Sequence, residues 1–122
     1  MMRCQTAWVT IAATDFDRLL TFYGQFLQQD PHLYLPEAYV EFQLPGLRLG
    51  IFKPQPSHQP EFRSPEHSGM SLCLEVEDLE AAIRHLEAIA APPLGEIIVA
   101  AHGREIYAYD PEGNRLILHQ TT

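Results

Sequence analysis

Basic side chains are scarce in this chain. Eight Lys and Arg face sixteen Asp and Glu, for a formal net charge of −8. A polyanion would be repelled unless the few cations clustered, and they are scattered, which excludes nucleic acid as a partner. Cysteine is almost absent as well. Cys4 and Cys73 stand far apart, without the spacing of a metal knuckle or a disulfide framework, so they read as reduced thiols and the expected compartment is the cytoplasm. There is no run of about eighteen apolar residues, and the start Met1-Met2-Arg3-Cys4-Gln5-Thr6 has no apolar signal core, so neither a membrane span nor a leader is expected. Against these absences stand 46% hydrophobic and 20% charged residues in 122 positions, the profile of one globular domain with a real core.

One short pattern occurs twice. Thr10-Ile11-Ala12-Ala13-Thr14-Asp15-Phe16-Asp17 and Cys73-Leu74-Glu75-Val76-Glu77-Asp78-Leu79-Glu80 each run an alternating apolar stretch into Asp and then into helical spacing, 63 residues apart. Each reads as a strand, a capping side chain and a helix. The repeat predicts two modules of about sixty residues that bury their apolar faces against a shared core. In the first, a strand over 7–13 precedes a helix over 16–27 whose Phe16, Leu19, Leu20, Tyr23, Phe26 and Leu27 form one stripe. Strands over 39–44 and 47–52 follow, joined by Pro45-Gly46. The second predicts a strand over 70–76, a helix over 79–90, and strands near 96–100, 104–109 and 115–120. Residues 53–65 carry Pro54, Pro56, Pro60 and Pro65 among polar neighbours and read as an extended linker.

Strand parity separates two faces. Val9, Ile11, Leu49, Ile51, Leu72, Leu74, Ile106, Ala108, Leu116 and Leu118 make an apolar face for the helices. The opposite face mixes rings and polar groups, as a ligand pocket requires: Trp8, Tyr39, Glu41, Arg48, Cys73, Glu75, Glu105, Tyr107 and His119. Trp8, Tyr39 and Tyr107 would supply flat walls. Glu41, Arg48, Glu75, Glu105 and His119 would orient a ligand, with an Arg48 ion pair to Glu41 or Glu75 as the plainer role. Cys73 reads as a buried, inert thiol. The remaining histidines, including His102 beside Gly103, lack metal spacing, and Arg104 is a weak candidate for an anionic ligand.

With these residues in view, the stretch Ala7 to Tyr23, the run Leu74-Glu75-Val76-Glu77-Asp78-Leu79 and above all Tyr107-Ala108-Tyr109-Asp110-Pro111-Glu112-Gly113-Asn114 resemble the vicinal oxygen chelate superfamily of glyoxalase I, bleomycin-resistance proteins and extradiol dioxygenases. The resemblance implies an α+β fold. It has two βαβββ modules (about 5–53 and 69–122, linker 54–68) in one domain, with pseudo-two-fold symmetry and curved mixed sheets around a concave pocket. It also implies a homodimer, and four metal ligands at the positions held here by Trp8, Gly50, Ser71 and Ile117. Trp, Gly and Ile cannot coordinate and Ser is a poor neutral ligand, so no metal and no cofactor are expected. The expected function is metal-independent binding of a small, partly aromatic molecule, in sequestration or carriage as in bleomycin-resistance proteins. The alternative is a metal-dependent lyase, isomerase or dioxygenase with displaced ligands such as Glu75, Glu105 and His119.

Overall fold

A computed structural model describes residues 2–122. The chain forms two compact units, the first ending at Phe62 and the second beginning at Arg63.

In the first unit, β1 (Val9–Ala12) leads into α1 (Phe16–Leu27), then β2 (Leu33–Leu35), β3 (Tyr39–Leu44) and β4 (Leu47–Phe52). Asp15 caps α1 as its sequence position implies, accepting from the Arg18 N–H at 3.3 Å. The helix stops at Gln28, whose φ of 54° is left-handed. The sheet order is β1-β4-β3-β2, with β1 and β4 parallel and the remaining pairs antiparallel. The buried face of α1, with Phe16, Leu19, Phe22, Tyr23 and Phe26, accompanies Val40, Phe42, Leu49 and Ile51 in this unit's core.

The second unit repeats the order with β5 (Leu72–Glu75), α2 (Leu79–Ala88), β6 (Ile98–Ala100), β7 (Gly103–Tyr109) and β8 (Arg115–Thr121). Its open sheet runs β5-β8-β7-β6, again with one parallel pair, β5 with β8. Asp78 caps α2 by accepting from the Ala81 N–H at 3.0 Å, and Leu79, Leu86, Leu116 and Leu118 are fully buried. The turn between β7 and β8 owes its conformation to Asp110, a buried carboxylate. Its Oδ1 accepts the N–H groups of Glu112 and Asn114 at 2.9 and 3.0 Å, and its Oδ2 accepts from the Asn114 side chain at 2.8 Å. Gly113 takes a φ of 93° there, which a side chain would resist.

One expectation needs correction and one strand was missed. The Pro-rich segment is not extended: Pro56–Phe62 and Pro65–His67 are 3-10 helices. Proline's fixed φ near −65° suits that tight helix as well as it suits an extended chain. Strand β2 had no sequence signal, because its three residues are exposed throughout and sit between Pro31 and Pro36.

Candidate functional site

The mixed faces lie where strand parity put them. In the first unit, register sets Glu41 beside Gly50 and Tyr39 beside Phe52, with Gln43 beside Arg48. Trp8 immediately precedes the first paired residue of β1. Four of the candidate residues meet here. The Arg48 guanidinium lies 4.7 Å over the Trp8 ring, a cation–π contact. Its Nε is 3.8 Å from Glu41 Oε1. That is close enough for charge attraction but too long for a hydrogen bond, so Arg48 Nε is a shielded donor with no acceptor. The Tyr39 hydroxyl donates to Glu41 Oε2 at 2.7 Å. Burial, then the bond to Glu41, raises the Tyr39 pKa above its ordinary 10.0, while Trp8 and Arg48 pull the other way. Trp8 itself is 44% exposed, so the stacked pair presents an open aromatic and cationic surface.

In the second unit, Glu75, His119 and Glu105 stand side by side on β5, β8 and β7. Glu75 Oε1 lies 2.6 Å from His119 Nδ1, and Glu75 Oε2 accepts the Thr121 N–H at 2.7 Å. The bond to His119, followed by that to Thr121, lowers the Glu75 pKa. His119 Nε2 is in turn 2.9 Å from His102 Nδ1, and the two imidazoles stack with centroids 5.0 Å apart. His102 was no site candidate from sequence. It stands in the short turn between β6 and β7, and no linear spacing links it to His119; only the hairpin's path does.

Cys73 and Tyr107 flank Ile117 one step along the same face. Cys73 is exposed rather than buried, because along β5 it alternates with Leu72 and so lies on the side opposite that buried residue. Its thiol is nevertheless held in the protonated form: partial desolvation, then the charges of Glu105 and Glu75, raise its pKa. Arg104 is committed elsewhere, to Glu80 at 2.5 and 2.9 Å and to Gln120 at 3.2 Å, and so is not the anion contact that its sequence neighbourhood offered.

The comparisons with known proteins agree on the fold. A family model described as a glyoxalase-like domain matches residues 8–119. Among solved structures, a glyoxalase / bleomycin resistance protein from Catenulispora acidiphila shares 24% identity, with 95% of this chain and 97% of that one covered and a TM-score of 0.70. A bleomycin-binding protein solved in complex with bleomycin shares 21% identity over 98% of this chain and 100% of that one, TM-score 0.67. The fosfomycin resistance protein FosX from Listeria monocytogenes, solved with Mn(II) and sulfate, shares 17% identity over 99% and 93%, TM-score 0.75. No curated protein sequence matches.

At each of the four strand positions that the resemblance singled out, two in each unit, the residue present does not suit a metal ligand. The Trp8 ring carries the Arg48 cation. A side chain at Gly50 would collide with Tyr39, whose hydroxyl stands 2.5 Å from the place of its Cβ. Ser71 Oγ accepts from Arg115 Nε at 2.7 Å. Ile117 offers no donor atom. Guanidinium groups beside two of the four positions oppose a second cation there.

Proposed function

The chain belongs to the glyoxalase-like family of the vicinal oxygen chelate superfamily, and from that premise we propose that it binds a small, partly aromatic molecule without using a metal, as a sequestering or carrier protein. The observation that carries this reading is the one-third-exposed Arg48 side chain, its guanidinium stacked on an exposed Trp8. A planar ligand gains area on the indole face, and an acceptor on that ligand gains a charge-assisted bond to Arg48. Tyr39 and Glu41 fix the direction of approach. The second unit's own open face carries a separate set of candidates, the 39% exposed Tyr107 ring with Cys73, Glu75, Glu105 and His119 on the same side of its sheet. The neighbour solved with bleomycin supports the same use of this fold.

We propose further that the protein works in the cytoplasm, where its two free, exposed thiols stay reduced, and as a homodimer. Support for pairing comes from the sheet-edge strands β2 and β6, which leave Leu33, Leu35, Ile98 and Val99 exposed. No helix among the described residues is long and apolar enough to cross a membrane.

Trp8 is the sole tryptophan, so its fluorescence reports on the site directly. A panel of planar compounds should contain one that quenches it and raises the melting temperature. At a hundred times its dissociation constant, such a ligand stabilises by about 2.7 kcal/mol. Binding should survive a chelator and be lost in Trp8→Leu and Arg48→Met. A panel without quenching or thermal shift, or binding that a chelator abolishes, overturns the reading.

A further inference from the structure

We propose that His102, Glu105 and His119 form a site for a first-row divalent transition ion such as Zn2+, held wholly within the second unit and using none of the four strand positions considered above. One ligand atom from each of these residues lies within 4.8 Å of the other two. The two imidazole nitrogens that would bind, His102 Nδ1 and His119 Nε2, stand 2.9 Å apart. Bonds of about 2.0–2.1 Å in a tetrahedral site place such nitrogens about 3.3 Å apart. The pair therefore needs to open by only a few tenths of an ångström.

The proton arrangement already suits a metal. Glu75 Oε1 stands 2.6 Å from His119 Nδ1, and the tautomer that a carboxylate favours there, with the proton on Nδ1, turns the His119 Nε2 lone pair toward His102. A carboxylate behind an imidazole in this way orients the ring, as the outer partners of metal-binding histidines do. Glu75 is itself anchored by the Thr121 N–H at 2.7 Å. Without an ion, His102 Nδ1–H donates to His119 Nε2. With one, the ion takes the place of that proton, which moves to His102 Nε2. The imidazole stays neutral and no proton is gained or lost. Glu105 supplies the third ligand and a negative charge, and a water completes the shell.

The backbone beside His102 fits this assignment. Gly103 has a φ of 151°, and a Cβ there would strike the Gln120 carbonyl and come within 3.0 Å of the His119 ring. The absence of a side chain lets the His119 ring lie flat against the turn that delivers His102. This site goes beyond the ligand-binding reading, and neither requires the other.

The test uses the metal alone, with no organic ligand. In a Cys4→Ser, Cys73→Ser background that removes the thiols, the protein is titrated with Zn2+ by calorimetry and with Co2+ by visible absorption. One ion per chain is expected, with Co2+ giving the spectrum of a four-coordinate nitrogen and oxygen site. His102→Ala, on an exposed turn, should weaken binding at least tenfold without changing the melting temperature of the metal-free protein, and His119→Ala should weaken binding at least as much. Glu75→Gln should weaken it by about 10–100-fold while keeping one ion per chain. Absence of binding overturns the site. So does affinity that His102→Ala leaves unchanged, or affinity that is lost instead when the exposed His58 and His67 are replaced.

Discussion

The two units build the same lattice and furnish it differently. Register places Ala12 and Tyr39 on either side of Phe52 in the first sheet, and Glu75 and Glu105 on either side of His119 in the second. At matching positions one unit has an alanine and two aromatic rings, with Phe52 in edge contact with Phe62 at 5.6 Å, and the other has two carboxylates around an imidazole. One step along, Glu41 and Gly50 correspond to Tyr107 and Ile117. The helix-facing sides match instead: Ile51 and Leu118 are equivalent and both fully buried. Stability constrains the covered face in both units alike, since any change there costs packing. The open face is free to diverge, so the polar and aromatic chemistry of the molecule is concentrated on it.

That contrast breaks most readily at the covered face. Leu118→Ala and Ile51→Ala should each cost about 2–5 kcal/mol, the range for truncating a buried aliphatic side chain, and urea unfolding would measure it. Similar losses in both units support the equivalence; a loss below about 1 kcal/mol in one of them would show that its side chain is not core.

The glycines sharpen the contrast at a lower cost. Gly103→Ala forces a side chain onto a positive φ and against the Gln120 backbone, for a loss of about 1–3 kcal/mol. Gly50→Ala meets only the Tyr39 ring, which can swing aside at the cost of its bond to Glu41, about 0.5–1.5 kcal/mol. Chemical denaturation that ranked Gly50→Ala as the worse of the two would contradict this account.

Much of the fold was legible because local and tertiary signals agreed. The aromatic stripe and Asp15 cap predict α1, and Pro45-Gly46 predicts the β3–β4 hairpin. The strands expected over 7–13 and 70–76 are shorter, Val9–Ala12 and Leu72–Glu75, because pairing with β4 and β8 sets their ends and alternation does not. The expected helix over 79–90 ends at Ala88, since Ala90 turns left-handed with a φ of 62° before Pro92. In the site, parity alone placed Glu75, Glu105 and His119 on one face. It could not supply His102, which reaches His119 from a turn, nor the partners of Arg104, which belong to α2 and β8. Side chains delivered by turns have no period to read.

The Glu80 and Tyr39 shifts should show at opposite ends of the pH range. Hydrogen bonding to Arg104 holds the Glu80 pKa down at about 2, from 4.5. Its folded value lies below the unfolded one, so its contribution is present above pH 4.5 and fades as pH falls toward 2. Tyr39 is shifted upward from 10.0. Its contribution is complete below that value and is lost as pH rises through the folded pKa. Glu80→Gln should therefore flatten the acid limb of stability against pH, and Tyr39→Phe the alkaline limb. If the two variants acted on the same limb, the assignment would fail.

The smallest effect belongs to Arg48. Its side chain is one-third exposed and its nearest carboxylate oxygen is 3.8 Å away, so the pair with Glu41 contributes little in water. The stack on Trp8 adds about 0.5–1 kcal/mol at an open site, and removing the guanidinium also relieves a donor without an acceptor. Arg48→Met keeps much of the aliphatic stem, so its stability should stay within about 1 kcal/mol of the parent. Trp8 emission should nonetheless change, since the charge over the indole is gone. A large loss of stability would mean that Arg48 supports the first unit's fold, and its place in the proposed ligand site would then have to be withdrawn.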